Sequence, residues 1–249
     1  MKPKILLSLL LIVVFIVSVI AHLPARLAVN YLPASTGIVV TGVEGSLWKG
    51  SAKNVTWKNR SLGTLSWDAN LLRLFTGKAD VSIALRGGID GIDGKGRVGY
   101  SLSGPYASNL FVSAPAEAVM KNAPIPVPVS ASGSLNLLVK DYQFASPWCA
   151  ELDGSLNWVN GNVSSPMGDI KAGDVAAQLS CVDGSIAAKG DSKSSALTSE
   201  FSLELSPNQR YKVNGWLAPG SEFPPQLRSQ LGFLGRPDSN GRYKLNFNG

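Results

Sequence analysis

The sequence predicts a mainly β protein: one N-terminal transmembrane helix, then a twisted antiparallel β-sheet region with one or two short helices. Three observations predict it. Residues 5–25 contain no Asp, Glu, Lys or Arg, and 5–20 are almost wholly aliphatic. Beyond them, apolar and polar residues alternate with a period of two in run after run, the pattern of strands with one apolar and one watered face. The 26 Gly and 15 Pro supply turns between those runs.

The first element follows from charge. Lys2 and Lys4 precede the run Ile5–Ile20. Roughly 20 apolar residues cross a bilayer as a helix, and flanking lysines stay on the cytoplasmic side. Residues 1–4 therefore read as a cytoplasmic lead, 5–23 as a transmembrane signal-anchor and 24–249 as a periplasmic β region at the cell inner membrane. A cleaved signal peptide, cut after Ala21, is the competing reading. Signal cores run to about 7–15 apolar residues, and this run is longer, so the uncleaved anchor is preferred. Both readings deliver the rest of the chain to the same side. His22 then sits at the membrane exit as an interfacial residue.

The strands come next. Val81, Ile83 and Leu85 alternate with Ser82, Ala84 and Arg86; Val98, Tyr100 and Leu102 alternate with Gly99 and Ser101. Phe201, Leu203 and Leu205 alternate with Glu200, Ser202 and Glu204, and Tyr243, Leu245 and Phe247 with Lys244 and Asn246. Helical signal is sparse. Ala114–Asn122 reads as two turns with Ser113 as N-cap. Phe223–Leu234 has Pro224 and Pro225 at its start and Gly235 past its end, the order that suits a short helix, with Leu227, Leu231 and Leu234 on one face. A tetrapeptide recurs as Glu44–Leu47, Ser132–Leu135, Asp153–Leu156 and Asp183–Ile186, and each copy reads as a turn that launches a strand. The spacing is too uneven for a solenoid and fits a meander of hairpins. Trp57 and Trp67, ten residues apart in neighbouring strand patterns, read as a cross-hairpin pair or as companions on one face. The Pro-rich stretch at 123–128 is either a domain boundary or an extended crossover within one long sheet. The crossover is favoured, because neither half looks self-sufficient.

Little in the chain can do chemistry. It has two Cys and one His, too few for a zinc site, and His22 lies in an apolar run rather than in the aqueous cleft that a catalytic His needs. Charged residues make up 16% of the chain against about a quarter in soluble domains, with ample apolar residues for a core. Gly94–Gly99 matches the G-x-G-x-x-G pattern, but a strand pattern follows it where a dinucleotide site needs a helix. Asp90 and Asp93 in Gly88–Gly94 lack the six or more oxygens that calcium wants and read as a hairpin loop. No catalytic, cofactor or metal residues are assigned, and no enzyme reading stands. The net charge of +6 is concentrated at both ends, with +4 in residues 206–249. That basic end faces solvent, an anionic lipid or an acidic partner; the compartment excludes nucleic acid.

Cys149 and Cys181 are expected to pair, because exported segments hold disulfides. Closing that loop stabilises by roughly 3–4 kcal/mol in the chain-entropy account. A redox-active pair would want C-x-x-C, which is absent.

An anchor, an exported Gly-rich β region and one Cys pair together resemble the type II secretion system protein N family along essentially the whole chain. The resemblance rests on Leu23–Leu27 after the anchor, Val43–Gly50 (VEGSLWKG) followed by Leu62–Trp67 (LGTLSW), and the ending Leu231–Tyr243 (LGFLGRPDSNGRY). It implies an accessory inner-membrane component of the machine that exports folded proteins across the outer membrane. Its partners would be other secretion subunits, met through periplasmic contacts, and it implies no catalytic or ligand-binding residues. The Gly-Ser-Leu-Trp-Lys-Gly turn is also similar to that of AsmA-like bridge proteins, whose curved sheets hold lipid acyl chains along an apolar face. By that analogy the alternative is a periplasmic lipid-binding or lipid-transfer module, with Val81, Ile83, Leu85, Phe201 and Leu203 lining an apolar β groove. The same residues in a closed core are the preferred expectation.

Overall fold

A computed structural model describes residues 2–29, 31, 34–58, 60–88, 90–121, 128–208 and 210–249. Helix α1 spans Lys2–Ala21 and the single-turn α2 spans Ala25–Val29. The chain then turns into β1 (Ile38–Gly45), β2 (Lys49–Trp57), β3 (Arg60–Ala69), β4 (Ala79–Gly87), β5 (Asp93–Ser101) and β6 (Gly104–Pro115). After α3 (Ala116–Met120) come β7 (Ser130–Gln143), β8 (Glu151–Ser165), β9 (Gly168–Val182), β10 (Ser185–Lys193), β11 (Leu197–Leu205) and β12 (Tyr211–Pro219). Helix α4 (Pro225–Gln230), a 3-10 turn at Leu231–Leu234 and β13 (Tyr243–Asn248) complete the chain, and a further 3-10 segment, Leu71–Thr76, joins β3 to β4.

The thirteen strands of the described residues form one antiparallel sheet in sequential order, so each pairs only with the strands before and after it. Six of the twelve links between these strands have only two or three residues, and such a link can only return an antiparallel neighbour. The longest strands, β7 to β9 at 14 to 15 residues, sit in the middle of the sheet. β6 pairs directly with β7; of the Pro-rich stretch between them, residues 123–127 lie outside the described residues, as does 122.

The mainly β class holds, and several finer expectations change. Helix α1 ends at Ala21, with His22 turning the chain and its Nδ1 2.8 Å from Ser18 O. Among the described residues no helix is long and apolar enough to cross a membrane. The part of α1 whose side chains are described, 7–21, covers about 22 Å at 1.5 Å per residue against roughly 30 Å of bilayer hydrocarbon.

Ser113 does not cap a helix. It stays in β6, where its hydroxyl donates to Asn136 Oδ1 across the sheet at 2.8 Å, and α3 starts three residues later behind Pro115. The Pro-in, Gly-out helix is present, shortened to Pro225–Gln230 and finished by the 3-10 turn, with Leu231 buried and Gly235 at its C-cap. Two of the four repeated tetrapeptides, Glu44–Leu47 and Asp183–Ile186, do form turns. The other two lie inside β7 and β8: Gly133 takes φ 103° at a register shift, and Gly154 lets β7 approach, since a Cβ there would meet Leu138 O at 2.8 Å.

Trp57 and Trp67 do not pair. The β2–β3 hairpin is so tight that Trp57 lies beside its turn opposite Arg60, whereas Trp67 lies at the far end opposite Gly50. Leu102 leaves the strand pattern for the β5–β6 turn. The closed core is not formed. β1 and β13 are free edges of one open sheet, and no large side chain among the described residues is fully buried.

Candidate functional site

The run Glu44–Gly50 folds as the tight turn between β1 and β2. Gly45 takes φ 92°, and a Cβ there would sit 2.5 Å from Lys49 O, so only glycine closes this turn. The Ser46 N–H donates to Lys49 O at 2.9 Å, and the Lys49 N–H donates back to Ser46 Oγ at 3.1 Å. The closed turn presents Trp48, whose indole N–H donates to Ile20 O at 2.8 Å. That carbonyl, in the last turn of α1, also accepts the Leu23 N–H at 3.3 Å, so the indole is its second donor.

Three further contacts continue the seam: the Leu47 N–H donates to Leu23 O at 2.8 Å, Pro24 bridges to Ser46, and Arg26 Nε donates to Val43 O at 3.2 Å. Behind the turn the Trp67 indole N–H is shared between Ser46 O at 3.3 Å and Leu47 O at 3.2 Å. Ala25 of α2 and Ala52 of β2, 2% and 0% exposed, pack with Val43 and Val55 beneath Leu65 and Trp67. Lys49 and Asp68 pair at 2.9 Å, and that hydrogen bond holds the Lys49 ammonium above its ordinary range. The segments Val43–Gly50 and Leu62–Trp67, twelve or more residues apart in sequence, thus meet at one place. They clasp the end of α1 to the sheet.

The strand register defines a second feature. Residues directly opposite one another share a face. From β1 to β13 one row runs Val43, Ala52, Leu65, Leu85, Gly94, Val112, Leu137, Leu156, Ala177, Gly190, Phe201, Gly215, Leu245. Every member is apolar or glycine. Ile83 lies two places from Leu85, and Leu203 two from Phe201, so the five residues Val81, Ile83, Leu85, Phe201 and Leu203 share this face. The row one residue along, on the other face, is polar at both ends, from Glu44, Ser51 and Ser66 to Lys189, Ser202, Asn214 and Asn246, with Ala84, Phe111 and Leu138 among its middle members. At the β1 end α2 covers the apolar face. Along most of the rest its side chains are half-buried by their own neighbours, and Leu156 is exposed.

A third feature stands beside the clasp. The Ala69 N–H donates to Trp48 O at 2.6 Å, and the 3-10 segment Leu71–Thr76 follows at once. Its frame is an ion pair: Arg73 Nη1 lies 3.1 Å from Oδ2 of Asp80, a carboxylate only 4% exposed, without hydrogen-bond alignment. The Asn70 N–H donates to Asp80 O at 3.1 Å, and Gly77 closes the segment in the left-handed region. Burial first, and the Asp80 charge second, push the Tyr106 phenol above its ordinary range.

Cys149, in the loop between β7 and β8, is bonded to Cys181 near the end of β9, with Cα atoms 6.2 Å apart. The C-terminal motif is a turn built on Asp238: its carboxylate accepts the Asn240 N–H at 2.8 Å and the Arg242 N–H at 2.9 Å, and those bonds hold it below its ordinary range. Arg242 then lies 4.1 Å over the Trp216 ring and leads into β13. Asp90 and Asp93 are spent on structure: Asp90 pairs with Arg60 at 3.4 Å, and Asp93 accepts the Gly87 N–H at 3.1 Å. Gly94–Gly99 lies within β5. Among the described residues no group of three or more His, Cys, Asp or Glu is placed to hold a metal. Sequence reasoning missed the clasp, because Trp48 and Ile20 meet only through the fold.

The family model described as type II secretion system (T2SS), protein N, matches residues 36–246. Among curated proteins, the chain is 40% identical over 250 residues to type II secretion system protein N of Vibrio cholerae, covering 100% of this chain and 99% of that one. It is 33% identical over 252 residues to the protein of the same name from Aeromonas hydrophila, again covering 100% and 99%. The one from Pectobacterium carotovorum is 26% identical over 250 residues, covering 100% and 98%. No solved structure matches the chain.

Proposed function

The chain belongs to the type II secretion system protein N family, and from that premise we propose that it is an accessory inner-membrane component of that system. Helix α1 holds it in the inner membrane, and the sheet meets other secretion subunits on the periplasmic side. The uncharged part of α1, residues 5–21, supports the anchor: about 26 Å at 1.5 Å per residue, at the short end of spanning helices. So does the exposure of all its described apolar side chains from Leu7 to Ile20. The observation that carries the reading is the clasp. Trp48, Leu47 and Pro24 fasten the end of α1 to the sheet, so the helix sets the position of the scaffold instead of holding it on a loose tether.

The partner surface is the edge of β13. Its outer row of backbone groups is unpaired within the sheet, and such edges accept an added strand. The test is site-specific photo-crosslinking in cells from Lys244 or Asn246, scored with secretion of a type II substrate. Adducts to secretion subunits are expected; adducts only to unrelated proteins overturn the partner assignment. A C-terminal alkaline phosphatase fusion is expected to be active, and an inactive one overturns the topology.

One observation favours a second reading. The apolar row has no second layer over most of its length, so an acyl chain could lie along it as in a lipid-transfer module. Native mass spectrometry of the exported part, residues 24–249, purified without detergent separates the two: co-purified lipid supports the second reading, and its absence removes it.

A further inference from the structure

We propose that Leu72, Phe75 and Leu102 form a lip that inserts into the interfacial layer of the same bilayer that holds α1, giving the sheet a second point of membrane attachment. The inference rests on the anchor reading of α1. The three side chains are 77%, 90% and 97% exposed, and Leu74 beside them is half-exposed at 50%. Large apolar groups clustered in water at this density mark a surface that is covered in use. Leu102 lies beside the end of the 3-10 segment that carries the other two, since a Cβ on Gly77 would lie 3.8 Å from Leu102 Cδ1.

Two observations select lipid as the occupant. The first is continuity. The lip starts one hydrogen bond from the clasp, Ala69 N–H to Trp48 O, and Trp48 itself bonds the last turn of α1. The sheet end that receives the membrane helix is therefore the end that carries the lip. The second is charge. From Ala69 to Ala79 the chain has Arg73 and Lys78 and no acidic residue, and the nearby Asp80 is buried against Arg73. Within the segment itself the apolar tips are flanked by Arg73 and Lys78 alone, which suits an anionic headgroup layer; the exposed Asp68, paired with Lys49, and Asp141 and Glu151 lie on neighbouring strands. The Arg73–Asp80 pair and the Gly77 cap hold the tips on a fixed frame rather than a loose loop.

The test uses the full chain reconstituted into phosphatidylglycerol-containing vesicles, with its two native cysteines joined in their disulfide. An environment-sensitive fluorophore is placed on Phe75→Cys, on Val13→Cys within α1, and on Ser195→Cys in the β10–β11 turn at the opposite end of the sheet. Quenching is expected at position 75 by shallow spin-labelled lipid, at position 13 by lipid spin-labelled deep in its acyl chain, and at 195 by neither. Quenching at 13 without 75 overturns the lip and leaves the anchor; quenching at 75 without 13 supports the lip and overturns the anchor; quenching at neither overturns both. The Leu72→Ser, Leu102→Ser double variant, altered only at exposed positions, is expected to lose quenching at 75 while keeping its circular dichroism. Unchanged quenching in that variant overturns insertion through these tips.

Discussion

At the residue scale the decisive contact is one indole N–H. Trp48 donates to Ile20 O, 28 residues earlier, as the second donor beside the Leu23 N–H at the end of α1. Trp48→Phe keeps the ring and removes the donor. It is expected to cost about 1 kcal/mol and to speed hydrogen exchange at the Leu47 and Ala69 amides, which flank the seam. Amide exchange read by mass spectrometry checks it, and unchanged exchange would show that the clasp does not depend on this bond. The residues were visible in the sequence as a motif, but their target was not. A turn motif declares its own φ angles through Gly45, whereas the carbonyl it serves is fixed only by the path of the chain through Pro24 and α2. Cys149 and Cys181 were more legible. With two cysteines in the chain only one intramolecular pairing exists, so chemistry rather than geometry chose it.

At the element scale, the period-two runs at Val81–Leu85, Phe201–Leu205 and Tyr243–Phe247 became β4, β11 and β13 because alternation survives any choice of neighbour. The boundaries that moved are those where glycine serves packing instead of turning. Large aromatic rings lie over glycines of adjacent strands or of their own strand: a Cβ at Gly50, Gly190, Gly99 or Gly161 would fall 2.5 to 2.7 Å from the ring of Trp67, Phe201, Tyr106 or Trp158. These rings shelter backbone that no second layer covers. Gly190→Val is therefore expected to displace the Phe201 ring and press on Ala176 O, destabilising by about 1–3 kcal/mol, the usual cost of overpacking. Urea denaturation measures it. A midpoint equal to that of the parent would mean the rings are not packed on the glycines. Gly133 and Gly154 looked like turns for the same reason that Gly190 looks like a weak strand residue. Composition does not distinguish a glycine that bends the chain from one that makes room.

At the scale of the whole molecule, alternation is equally compatible with a closed barrel, a sandwich and an open sheet, so strand order and closure were beyond the sequence. The observed order has an energetic consequence. With thirteen strands in series and little packed across them, each strand is stabilised mainly by its two neighbours, as in a repeat array. Stability then need not be shared evenly, and local unfolding is expected to run inward from β13, which is short and has one neighbour. The Cys149–Cys181 bond sits over the longest strands, tying the β7–β8 loop to β9. Replacing both cysteines by serine is expected to cost about 3–4 kcal/mol where the loop is closed. In a serial sheet that loss is local. Exchange protection should fall in β7 to β10 and stay unchanged in β2 to β4, which the clasp with α2 supports separately. A uniform fall across all thirteen strands would mean that the sheet unfolds as one cooperative unit, with coupling that nearest-neighbour pairing alone does not supply.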